Sequence, residues 1–138
     1  MRNRQILDSA IDYAIIATDL DGMVSRWNKG AERILGWNED EIIGQTLESI
    51  YTRNDQAGGQ LRQQMDAALR AGVFADERWH LRKSGQRFWA SGETNALRDE
   101  AGTVTGFVKV LRDCTDEHLG ARALAASNDQ LQRAQSAG

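Results

Sequence analysis

A chain of 138 residues has room for one domain with one real core, and its 17 Lys and Arg against 20 Asp and Glu leave a mild net charge of −3. The basic residues are scattered, which argues against a nucleic-acid surface. No apolar run approaches the roughly 18 residues of a membrane span; Met1-Arg2-Asn3-Arg4 opens an amphipathic segment rather than a secretory leader, so a cytoplasmic location is expected.

Gln5 to Ile11 carries Ile6, Leu7, Ala10 and Ile11 at helical spacing. Tyr13 to Thr18 is a short apolar run ended by turn residues, hence a buried strand. Asp21-Gly22 marks a hairpin, with Met23 to Trp27 returning. Asn28 suits an N-cap, and the helix it opens runs through Ala31, Ile34 and Leu35 to a stop at Gly36. Asn38-Glu39-Asp40-Glu41 has capping-box spacing and predicts a short helix toward Ile43. Thr46 to Tyr51 is ambiguous. Asp55 to Ala71 reads as one longer helix with Leu61, Met65, Ala68 and Leu69 on a face, its first turn weakened by Gly58-Gly59.

The second half reads as β: Val73 to Leu81, Arg87 to Ala96 and Thr103 to Arg112, joined by short turns into an antiparallel meander. From Thr115 onward a polar, helix-favouring stretch carries Leu119, Leu124 and Leu131. The layout is α+β, with a five-stranded antiparallel sheet, short helices on one face and a helix at each end. The expected divisions are a flanking helix over 1–11, a core over 12–115 and a linker helix over 116–138.

Four blocks in this order resemble the PAS domain family: Thr18 to Trp27, Asn28 to Trp37, Lys83-Ser84-Gly85-Gln86-Arg87-Phe88-Trp89, and Gly106 to Thr115. The resemblance implies a sensor module of the kind found in histidine kinases, cyclases and transcription regulators. Asp113-Cys114-Thr115 is similar to the family's Asp-x-Thr signature, which implies a signal relay by Asp113 and Thr115. The family binds haem, flavins, small acids or nothing, so the cofactor stays unknown. Leu47 stands where the photoreceptor branch has its reactive cysteine, which disfavours a covalent flavin adduct. Gly59 stands where the oxygen-sensing branch has its haem histidine, which disfavours that haem. The flavin-reading positions match His80, Ala90 and Leu111; Ala90 and Leu111 offer no side-chain hydrogen bond, which leaves noncovalent flavin or no cofactor.

Two residues sit awkwardly. Alternation puts Trp79 and Leu81 on the core face of their strand and His80 in water; the resemblance implies the reverse, with His80 facing the pocket. Lys109 shares a face with Leu111. It is exposed by a bulge, or snorkels to the rim, or pairs with an acidic group or anionic ligand, because a lone buried ammonium is costly. His80, Ala90, Lys109 and Leu111 are therefore the candidate pocket positions.

Of the four tryptophans, Trp27 and Trp37 read as packing beside the first helix, and Trp79 and Trp89 as a cross-strand pair on an outward patch. Ile6, Leu7, Trp79, Trp89, Leu124 and Leu131 are the candidate dimer contacts, with Leu124 and Leu131 a short coiled-coil seam. Cys114, the only cysteine, reads as a small junction residue. No nucleophile motif, phosphate loop or metal-ligand spacing is present in the sequence, so neither an enzyme nor a metal site is expected. The expected function is a dimerising sensor domain that perceives a small ligand or partner and signals through its C-terminal helix to an output domain, covalently linked or separate. The alternatives are a ligand-free structural dimerisation module and a noncovalent flavin redox sensor.

Overall fold

The computed structural model describes residues 12–124. The expectations for Ile6, Leu7 and Leu131, and most of those for the two end segments, lie outside these residues. The order is β1 (Ala14–Thr18), β2 (Val24–Trp27), α1 (Lys29–Leu35), α2 (Glu39–Ile42), a 3-10 turn (Leu47–Ile50), α3 (Arg53–Ala57), α4 (Gln60–Ala71), β3 (Val73–Leu81), β4 (Arg87–Arg98) and β5 (Val104–Asp113). A further helix, α5, occupies 115–124.

The strands form one antiparallel sheet in the order β2-β1-β5-β4-β3. β1 and β5 pair although the whole helical region lies between them in sequence. β2 and β3 are the edges.

Local chemistry explains the first half. Asp19 closes the β1–β2 hairpin by accepting the amides of Asp21 at 2.9 Å and Met23 at 3.0 Å. The Asn28 Oδ1 caps α1 through Ala31 N at 2.8 Å and also takes Ile15 N at 2.9 Å, so one side chain sets both the helix start and its position beside β1. Gly36 ends α1 at φ 85°. The Glu41 carboxylate accepts the Asn38 amide at 2.9 Å, the reaching-back half of the capping box. The ambiguous stretch becomes the 3-10 turn. The single helix expected over Asp55 to Ala71 is instead two, because Gly59 takes a left-handed φ of 69° between α3 and α4.

The core lies between the inner face of the sheet and α1, α2, the 3-10 turn and α4. Ile16, Trp27, Leu35, Leu47, Ile50, Met65, Phe88 and Leu111 belong to it. Leu69, expected on the buried face of α4, is exposed; the buried positions are Leu61, Gln64, Met65 and Ala68.

Candidate functional site

The four candidate pocket positions, His80 on β3, Ala90 on β4, and Lys109 and Leu111 on β5, all point inward and are at most 2 % exposed. Simple alternation misassigned His80 because β3 has its covered side opposite to the face with the larger rings. Trp79 and Leu81 lie half-buried on the outer face. His80 meets Tyr51 edge-on, with centroids 4.8 Å apart, and its Nδ1 lies 3.0 Å from the Ile50 carbonyl. A carbonyl only accepts, so Nδ1 carries the proton. Burial first, then the Lys109 charge, holds the His80 pKa well below the ordinary 6.5, so the ring is neutral near pH 7.

Lys109 neither bulges out nor snorkels. Its register with Ile16 on one side and Thr94 on the other is regular; the nearest irregularity in the β4–β5 ladder falls between Leu97 and Arg98. The ammonium donates to Gln64 Oε1 at 3.2 Å and lies 5.5 Å from the centre of the Tyr51 ring. Gly92 of β4 gives it room: a Cβ there would stand 3.7 Å from Nζ, and a longer side chain would enter the same space. Burial pushes the Lys109 pKa down to about 8, against the pull of Asp76.

Gln64 is the centre of this cluster. Its Oε1 also accepts the Tyr51 hydroxyl at 2.7 Å, and its Nε2 donates to Asp76 Oδ2 at 3.4 Å. The same Asp76 oxygen accepts Arg78 Nε, and Arg78 Nη1 reaches Asp55 Oδ2 at 3.1 Å. A chain of polar contacts thus runs from Asp55 on α3, through β3 and α4, to an ammonium inside the core. The sequence held one sign of it: Gln64 interrupts the apolar stripe of Leu61, Met65 and Ala68 on α4.

Asp113 and Thr115 form a second polar junction. Arg82, just past the end of β3, donates from Nη2 to Asp113 Oδ2 at 2.7 Å and from Nη1 to the Ile34 carbonyl at the end of α1 at 2.6 Å. Its guanidinium lies 4.5 Å from the Phe88 ring centre. Burial alone would raise the Asp113 pKa, but the bonds from Arg82 and Thr115 outweigh it and hold the carboxyl below its usual value. Asp113 Oδ1 accepts Thr115 N at 2.9 Å, while the Thr115 hydroxyl donates to that carboxylate and accepts Trp89 N of β4 at 2.9 Å.

On the outer face Trp79 and Trp89 are register partners with ring centroids 5.2 Å apart. Tyr13, Glu77, Ser91, Glu93, Val110 and Arg112 help to line an open groove of about 580 Å³ on the same face. Leu124 is exposed. Trp27 is buried and donates to the Trp37 carbonyl at 2.8 Å. Cys114 is buried in the junction, and burial pushes its thiol pKa up. Among the described residues no cluster of three or more His, Cys, Asp or Glu could hold a metal, and no helix is long and apolar enough to cross a membrane.

A sequence model of the PAS fold matches residues 2–114. The chain belongs to the PAS family. Two-component system protein A of Emericella nidulans is 34% identical over 128 residues, 93% of this chain but only 19% of that protein. The crystal structure of the PAS domain of a protein from Colwellia psychrerythraea is similar at a TM-score of 0.72 and 25% identity, over 83% of this chain and 97% of that one. A sensory box histidine kinase/response regulator from Burkholderia thailandensis shares the fold at a TM-score of 0.67 and 21% identity, over 96% and 99%.

The cofactor positions of two PAS branches can be tested on these residues. Leu47 is buried and carries no thiol, and Gly59 carries no side chain, so neither a covalent flavin nor a helix-ligated haem fits them.

Proposed function

We propose that this PAS domain is the sensory module of a larger signalling protein, perceiving a small ligand or partner and passing the change through α5 to an output domain such as a kinase, cyclase or transcription regulator. The observation that carries the reading is the junction at Asp113. One carboxylate is tied through Arg82 to the turn that follows β3 and to the first residue of α5, whose hydroxyl is tied to β4. A shift between these strands therefore changes the bonds that fix the helix start. The resemblance to a two-component system protein supports the same reading. The polar cluster around Lys109, Gln64, Tyr51 and His80 is the region proposed to register the signal, with Ala90 and Leu111 as its apolar floor. The domain acts by binding and relay, not by catalysis, in the cytoplasm, and as a homodimer through its two end segments and the outer sheet face.

The decisive experiment fuses the chain to a histidine-kinase output and follows autophosphorylation. Asp113→Ala is expected to leave the domain folded and abolish the response to signal; a variant that still responds as the wild type does sinks the relay. Light scattering of the full chain and of a chain ended after Thr115 tests association, and monomers in both would remove the dimer.

A second reading, a ligand-free structural module, has one observation in its favour. Protein side chains already satisfy much of the inner face, as with Tyr51, Gln64 and Lys109. A flavin or haem band in the absorbance of purified protein would rule that reading out.

A further inference from the structure

The helix that follows β5 meets the sheet at a second place, one turn beyond Thr115. The His118 imidazole lies flat on Trp89, with centroids 3.9 Å apart and planes 13° from parallel. The same ring meets Trp79 edge-on at 5.5 Å and 88°. With the Trp79–Trp89 contact, three rings form a closed cluster from three elements.

Each indole has an additional anchor on the sheet. Trp89 Nε1 donates to Glu77 Oε1 at 3.1 Å, and the Arg87 guanidinium lies 4.7 Å from the centre of the Trp79 ring. The sheet side of the cluster is thus held in place without the helix. The helix side rests on His118 and one exposed ion pair, Glu117 with Arg112 of β5 at 3.1 Å; from 116 to 124 every position except His118 is exposed. Leu119 and Leu124, the leucines of this helix, are 49% and 63% exposed. Stacked and edge-on aromatic pairs give orientation as well as attraction, so the rings fix the direction in which α5 leaves the sheet.

We propose that His118 is the clasp that holds the signalling helix on the outer sheet face, and that lifting its ring off Trp89 is the movement that frees α5. This rests on the sensory reading above and names a second coupling point for it. Asp113 fixes where the helix starts; His118 fixes whether its next turn lies on the sheet. The arrangement is releasable because one part-buried side chain and one exposed ion pair make the contact, and a helix held by few buried groups opens locally without unfolding the core.

Hydrogen exchange of the full chain, read by mass spectrometry, tests this. His118→Ala is expected to speed exchange across 118–122 by about tenfold or more while β3, β4 and β5 stay protected. His118→Phe, which keeps a flat ring, should restore wild-type protection. Trp89→Leu, which removes the stack from the sheet side, should match His118→Ala. Unchanged exchange in His118→Ala overturns the clasp, and so does a Phe variant as fast as Ala. If His118→Ala lowers the melting temperature of the whole domain, the decision passes to Trp89→Leu, and unchanged exchange there also overturns it. The relay reading fails separately, on the Asp113→Ala response of the kinase fusion.

Discussion

The inner face of the sheet keeps its charged and polar groups in the core, while the outer face keeps its largest rings half in water. Lys109 and His80 on the inner face, and Gln64 of α4 packed against it, are at most 2 % exposed, and each has a polar or aromatic neighbour inside the core. On the outer face Trp79, Trp89 and His118 touch one another and solvent. The difference is energetic. A buried polar group whose partner is removed loses its hydrogen bond and does not regain water. A ring at the surface that loses its neighbour is rehydrated. The inner face is therefore the less forgiving of the two, and the outer face is the one that can move at little cost.

The largest effect expected from breaking this contrast is at Gln64. Gln64→Leu removes the acceptor shared by Tyr51 and Lys109, and urea unfolding should show a loss of about 3 kcal/mol, as for a buried charge stripped of its partner. A loss under about 0.5 kcal/mol, the usual range for a surface site, would mean that the cluster is not needed for stability.

Lys109→Met tests the same cluster from the other side. The Lys109 pKa falls from 10.5 to about 8 on folding, so between these values the unfolded chain binds more protons. Stability from this group then rises with pH across that window, by about 3 kcal/mol at full development. At pH 7 the Met variant should be as stable as the wild type or more so, and its alkaline rise should be missing. Parallel pH curves for the two proteins would contradict this.

His80 gives an effect of opposite sign. Its folded pKa lies well below 6.5, so as pH falls through 6.5 the unfolded chain takes up a proton that the folded chain refuses. The wild type loses stability on acidification from this point, and His80→Asn, which still offers a donor to the Ile50 carbonyl, should lose less. The check is the difference in melting temperature between pH 7 and pH 5 for each protein.

The smallest effect is expected outside. Trp79→Ala removes aromatic contacts with Trp89 and His118 on a half-exposed face, and about 1 kcal/mol should be lost in the same urea assay. A loss as large as that of Gln64→Leu would erase the contrast between the faces.

The local signals were readable because they act over a few residues. Asn28, Gly36, Asn38 with Glu41, and the Asp21-Gly22 hairpin each specify a cap or turn through their own side chain or lack of one. Val73–Leu81 was bounded correctly by the turn residues around it. The site was less legible. Alternation says which residues share a face, and it did separate His80 from Trp79 and Leu81, but it does not say which face is covered. Tyr51, Asp76 and Arg82 gave no sign of their roles, since their partners are distant in sequence: Arg82 joins Ile34 and Asp113, and Tyr51 joins Gln64. Beside His80 and Lys109, Gln64 within an apolar stripe was a further clue to the buried cluster.

By itself the sequence determined the elements, their order and the PAS resemblance, because caps, turns and periodicity are properties of short segments. The tertiary structure decided that Lys109 is buried, that Arg82 reaches Asp113 beside the start of α5, and that His118 reaches Trp89. Each of these depends on strands brought together from far apart in the chain: β1 beside β5, β5 beside β4, and the outer face of β4 beneath the helix that β5 releases.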